Sequence, residues 1–194
     1  MGSEGYRAVM STARSEVAMF ASKFGEIRRE CERAIAQLDT GMLRRSLDGD
    51  TNSVAIILKH VGANLTSRFT NFLSEDGEKS WRQRDGEFID DFAQGEEGRR
   101  AILAAWSAGW SVLEGTLASL RDEDLDRTVH IRGQPHSVRL ALLRSAAHLA
   151  YHQGQITLIA RILVGPERWQ TISIPRGGSR AFNERLGYTP GSSH

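Results

Sequence analysis

The sequence predicts an all-α protein, a four-helix bundle with long connections and one small β-hairpin near residues 128–136. Three observations carry that prediction. Apolar residues recur every three or four positions over four long stretches, polar or Gly/Pro-bearing breaks separate them, and strand-like alternation occurs once. Helices that each expose one apolar stripe must bury it against one another, which is the packing of a bundle.

The first helix is expected over about 5–38, where Val9, Ala13, Val17, Phe20, Phe24, Ile27, Cys31, Ile35 and Leu38 step at the period of an α-helix. Asp39-Thr40-Gly41 supplies its stop. Thr51, Asn52 and Ser53 offer N-caps for a second helix over about 53–74, with the stripe Val54, Ile57, Leu58, Val61, Leu65, Phe69 and Phe72. Residues 75–96 are polar, hold three Gly and show no sustained period, so a long connection with at most one short helix is expected. Its Trp81, Arg82, Arg84, Asp85 and Glu87 fit a solvated loop pinned by one Trp, or a lid over a site.

The third helix, about 97–120, places Leu103, Trp106, Trp110, Leu113, Leu117 and Leu120 on one face, so its two Trp belong to the core. Val129 and Ile131 alternate with polar neighbours, and Gly133-Gln134-Pro135 is read as the turn of the hairpin. Ser137 caps a fourth helix, about 138–164, which stops at Gly165-Pro166. The tail, 165–194, has too much Gly and Pro for another long helix, although Trp169, Ile172 and Ile174 are expected to pack on the bundle. Arg176, Gly177, Gly178 and Arg180 read as a surface Gly turn, with anion binding as the sharper alternative. One domain over 1–194 accounts for the whole chain.

With 25 Lys+Arg against 24 Asp+Glu, the net charge of +1 gives no basic field of the kind that dominates nucleic-acid affinity, so no nucleic-acid partner is expected. No apolar run approaches the roughly 20 residues that cross a bilayer, which argues against a membrane partner. Glu4, Arg7 and Arg14 stand where a signal peptide needs apolar residues, and a cytoplasmic location is the expectation. Cys31 is the single cysteine, so no intrachain disulfide and no Cys-x-x-Cys site exists. It lies on the apolar stripe of its helix and reads as a small core residue.

Chemistry must then come from the histidines, at 60, 130, 136, 148, 152 and 194. His148 and His152 are four residues apart, about 40° on a helical wheel, among Ala141, Ile156, Ile159 and Leu163. A buried imidazole must be hydrogen-bonded or metal-bound, and the i, i+4 spacing lets two rings reach one ion. A zincin would need Glu after the first His. Leu149 stands there, so the metalloprotease reading fails. His60, mid-helix among apolar residues, is the leading third ligand, although it lies well over 90° from its own stripe and must face another helix. Hydrogen-bonded core histidines are the alternative. His130 and His136 flank the turn and read as solvated. Asn64 and Gln155 are placed to bond the ligand rings, or simply to bond between helices.

The fourth helix, with AAHLAYHQGQI, closely resembles the His-x-x-x-His-x-Gly-Gln-Ile helix of the DinB-like (YfiT-like) four-helix-bundle superfamily. The segment NSVAIILKHVGANLTSRFTNFL is similar to the one that supplies its other histidine, and DGEKSWRQRDGEF and SIPRGGSRAFN resemble a branch of unknown function. The resemblance implies a divalent metal, zinc or nickel, held by His60, His148 and His152. It also implies use of a low-molecular-weight thiol, such as bacillithiol or mycothiol, for transfer or isomerisation. No thiol-binding residue carries over.

The expected function is a divalent-metal-dependent enzyme of small molecules, most simply thiol-dependent and S-transferase-like. A three-His site with no carboxylate beside it lacks a base for water, whereas a thiol ionises on coordination alone. A non-enzymatic metal or small-ligand binding bundle is the alternative reading, and a helical interaction protein with core histidines the third. A small-molecule substrate is the expected partner, and a homodimer is compatible with the sequence.

Overall fold

In the computed structural model, residues 15–189 and 191 are described. Val9 and Ala13 of the first expected stripe, and His194, lie outside them. The described residues form helices α1 (Glu16–Ile35), α2 (Thr40–Arg44), α3 (Val54–Phe69), α4 (Gly95–Ser119), α5 (Val138–Val164) and α6 (Ser179–Arg185). Short 3-10 turns lie at Asp85–Phe88 and Asp122–Asp126, and strands β1 (Thr128–Ile131) and β2 (Gln134–Ser137) form an antiparallel hairpin. The all-α bundle with a small hairpin is the architecture the sequence predicts. No helix among the described residues is long and apolar enough to cross a membrane.

Capping sets the helix ends. The Ser53 hydroxyl accepts from Ile56 N and opens α3, and the Ser137 hydroxyl accepts from Leu140 N and opens α5. The first helix ends at Ile35 rather than Leu38, because the Asp39 carboxylate accepts from Met42 N and starts the unforeseen α2. Leu38 still reaches the core. The second long helix stops at Phe69, five residues early, and Asn71 turns the chain with φ 49°. In the hairpin the turn falls on Arg132 and Gly133, both at positive φ, a pattern that matches the twist of the flanking strands. Gln134 and Pro135 therefore belong to β2, not to the turn.

α3 lies along α4, and α1 along α5. The α3–α4 crossing is backbone on backbone. A Cβ at Gly62 would sit 2.5 Å from Ala105 O, and one at Gly109 would sit 2.5 Å from Gly62 O. Only glycine permits that approach. The core is continuous, with Phe24, Leu58, Leu65, Trp110, Leu142 and Ile156 fully buried, and Trp106 joins it. Cys31 is buried there, and burial pushes its thiol up to about 12, so it is not a nucleophile. In the tail, Trp169 and Ile172 pack on the core, whereas Ile174 is exposed, contrary to the expectation, among turn residues that lead away from it.

Candidate metal centre

His60 sits two residues before the Gly62 crossing, and His148 and His152 sit on successive turns of α5. His60 is off the main stripe of α3, as the helical wheel shows, and faces α5. Its ring centroid lies 5.5 Å from that of His148 and 5.1 Å from that of His152, while the His148 and His152 rings are 4.6 Å apart. One ring nitrogen from each of the three lies within 4.8 Å of the others, and no other His, Cys, Asp or Glu among the described residues joins the group.

The hydrogen bonds decide which nitrogens face inward. His152 Nδ1 donates to Gln155 Oε1 at 2.7 Å, and Gln155 Nε2 donates to the Tyr151 hydroxyl at 3.2 Å, which sets the amide orientation. His60 Nδ1 donates to Glu87 Oε2 at 2.7 Å. In both rings Nε2 is left with its lone pair. His152 Nε2 and His148 Nε2 are 3.1 Å apart, close to the roughly 3.3 Å expected of two nitrogens bound tetrahedrally at about 2.05 Å from one zinc ion. Burial first, then the neighbouring His152, His60, Arg68 and Arg82, push the His148 imidazole down to about 4. Burial and His60 also lower His152, against the opposing bond to Gln155. Both rings are neutral at pH 7, the form that ligates metal.

The loop 75–96 forms one wall of this centre, and its pins are not the ones the sequence suggested. Trp81 is 55% exposed. The Arg82 and Glu87 side chains are instead 3% and 5% exposed and joined by two bonds, Arg82 Nε to Oε1 at 2.7 Å and Nη2 to Oε2 at 2.9 Å. Phe88 stacks on His60 at 4.9 Å. Next door on α3, Lys59 Nζ donates to Gly86 O, Ile89 O and Asp91 Oδ1. Burial alone would push the Glu87 carboxyl up, but the bonds from His60 and Arg82 and the Arg82 charge hold it below the usual range. Glu87 is thus an ionised carboxylate that orients the His60 imidazole, an arrangement also found behind metal-bound histidines.

Glu87 is the residue sequence reasoning missed in this role. It lies 27 residues from His60 in an aperiodic loop, where spacing carries no signal. The three-His group is therefore not without a carboxylate nearby. Both Glu87 oxygens nevertheless bond His60 or Arg82, and the side chain is only 5% exposed, so it is held by those partners rather than presented to a substrate water.

Gln155 holds His152 as one of its two readings had it, while Asn64 lines a cavity beside the centre. That cavity, about 350 Å³, is also lined by His60, His148, Arg68, Arg82, Arg84 and Arg144. His130 is exposed, and the His136 ring bonds the backbone of Gln134. Neither joins the site. In the tail, Arg180 pairs with Glu184 on the exposed α6, and Gly177 turns the chain with φ 79°, as a surface turn requires.

No curated protein and no solved structure matches the chain. Over residues 11–178 it matches the model of the family described as "Protein of unknown function (DUF1572)", and the chain belongs to that family.

Proposed function

We propose that His60, His148 and His152 hold one divalent metal ion, zinc or nickel, and that the protein is a metal-dependent enzyme of small molecules using a thiol co-substrate. The observation that carries this reading is the convergence of three imidazoles, two of them held by Glu87 and Gln155 with Nε2 facing the group. A hydrogen-bonded core histidine needs no such company. The resemblance of AAHLAYHQGQI to the DinB-like helix supports the same ligand set and a kinship of the family with that superfamily.

A bound ion would acidify a coordinated thiol or water and leave at least one position open beyond the three rings. The chain's own residues supply orientation and exclusion of water. Glu87 and Gln155 fix the ligand tautomers, and Phe88 and the Arg82–Glu87 pair close one side. A water nucleophile would need a base presented to it, whereas Glu87 is buried and bonded through both oxygens to His60 and Arg82; a thiol loses its proton more readily and suits the site better.

The test uses protein purified without a nickel column. Elemental analysis should find close to one zinc or nickel per chain, lost in His152→Ala. The loaded protein should transfer bacillithiol, mycothiol or glutathione to an electrophilic acceptor. Thiol-independent hydrolysis would overturn the transferase reading, and metal-free protein would overturn the centre itself. A second copy of the chain is the macromolecular partner in this reading, through the exposed face of α5.

A further inference from the structure

Five guanidinium groups line the cavity that opens beside the histidines: Arg68, Arg82, Arg84, Arg132 and Arg144. Acidic partners are fewer. Arg82 is bound to Glu87 and Glu78, and Arg132 shares the same Glu78 oxygen at 3.3 Å. The Asp76 carboxylate is taken by the backbone N–H groups of Glu78, Arg132 and Gly133. Among the described residues, Arg68, Arg84 and Arg144 have no ion pair. Arg84 only stacks over Phe88, and Arg68 is buried with its Nη1 lacking any hydrogen-bond acceptor.

A buried guanidinium donor without a partner costs free energy, and like charges around one cavity repel. Burial and the charges of Arg144, Arg82 and Arg132 all weaken the hold of Arg68 on its proton, with only Glu78 opposing. The chain as a whole is nearly neutral, so this concentration of one sign is local to the cavity. Arginine is the side chain suited to planar, bidentate recognition of oxyanions. A volume of about 350 Å³ is the size of a small-molecule site.

We infer that this cavity is the substrate's anion subsite, and that Arg68, Arg84 and Arg144 bind a doubly charged oxyanion, a phosphate monoester being the simplest. The inference rests on the three-His reading for what the rest of the substrate meets. His60 and His148 line the same cavity, so a molecule anchored by its phosphate extends towards their Nε2 atoms. The anion subsite itself needs only the arginines.

Titration calorimetry of the full chain with inorganic phosphate, at constant ionic strength, tests the subsite apart from the metal. Metal-stripped wild type should bind phosphate saturably at one site. Arg144→Gln, at an exposed position that leaves the core untouched, should weaken it at least fivefold, and Arg68→Gln should do the same. Arg180→Gln and His152→Ala should leave it unchanged, and acetate should bind at least tenfold more weakly. Equal affinity in Arg144→Gln, equal binding of acetate, or loss of phosphate binding in metal-stripped protein or His152→Ala would each overturn the proposal. Phosphate binding to a protein that takes up no metal would sink the three-His reading and leave the anion subsite standing.

Discussion

Glu87 receives three hydrogen bonds from two buried side chains, so its loss should be felt twice. Glu87→Gln keeps the shape but removes the charge that steadies the His60 tautomer and neutralises Arg82. Removing one partner of a buried ion pair costs about 3–5 kcal/mol, and losing a carboxylate behind a ligand histidine costs about 10–100-fold in metal affinity. Competition with a chromophoric chelator, alongside urea melts, should show both losses. Unchanged zinc affinity in a folded variant would show that Glu87 does not act through His60. His148 gives the pH counterpart. Its imidazole titrates near 4 in the fold and near 6.5 when unfolded, so between those values the unfolded chain binds more protons. The stability of metal-free protein should therefore be complete at pH 7, fall as pH drops through about 6.5, and level off below about 4. His148→Gln should flatten that limb in urea melts at pH 7 and pH 5. The same depressed affinity for protons should let metal stay bound below the pH at which free imidazole would release it.

At the scale of elements, the α3–α4 crossing makes opposite predictions for two glycines on one helix. Gly109 meets the α3 backbone, so Gly109→Ala should cost about 1–3 kcal/mol by overpacking. Gly115 faces open space, and Gly115→Ala should gain about 0.5–1 kcal/mol from helix propensity. Thermal melts that move both variants in the same direction would contradict the crossing. Gly62 and Gly109 also mark the limit of what the sequence makes legible. The four long helices and Ser53 and Ser137 as caps are readable because stripe and cap are local patterns within a few residues. The close approach of two backbones joins positions 47 apart and leaves no periodic trace. The same holds for the site. His148 and His152 share one helix and are legible as a pair, and His60 stands out as a polar ring in an apolar segment. Glu87, Arg82 and the arginine cavity assemble from a loop, a hairpin and two helices, and only the fold brings them together. α2 was missed because Asp39, read as a stop, is also a start.

For the whole molecule, the remaining question is what covers α5, whose outer face carries an apolar stripe. Leu140, Leu143, Tyr151, Leu158 and Ile162 are each at least 50% exposed, with Ala147 and Gly154 between them. The stripe is nearly palindromic about Tyr151: Leu140 and Ile162 lie 11 residues to either side, Leu143 and Leu158 lie 8 and 7. A two-fold axis through Tyr151 would thus set leucine or isoleucine of one copy against the same of the other. Ala147 and Gly154 are small enough to let the helices close. The five large side chains present roughly 500 Å² per copy, and a pair buries about 1,000 Å², the lower bound of a specific interface. Light scattering should accordingly give twice the 21.5 kDa of one chain. Leu143→Lys combined with Leu158→Lys, both on the exposed face, should give a folded monomer with metal content unchanged. A wild-type mass of one chain at micromolar concentration, or a double variant that still pairs, would rule out α5 as the contact. Because Tyr151 accepts from the Gln155 amide that holds His152, a pairing that moved the Tyr151 ring would reach His152 through two hydrogen bonds. Zinc affinity of wild type above and below the dissociation concentration should then differ, while that of the double lysine variant should not depend on concentration.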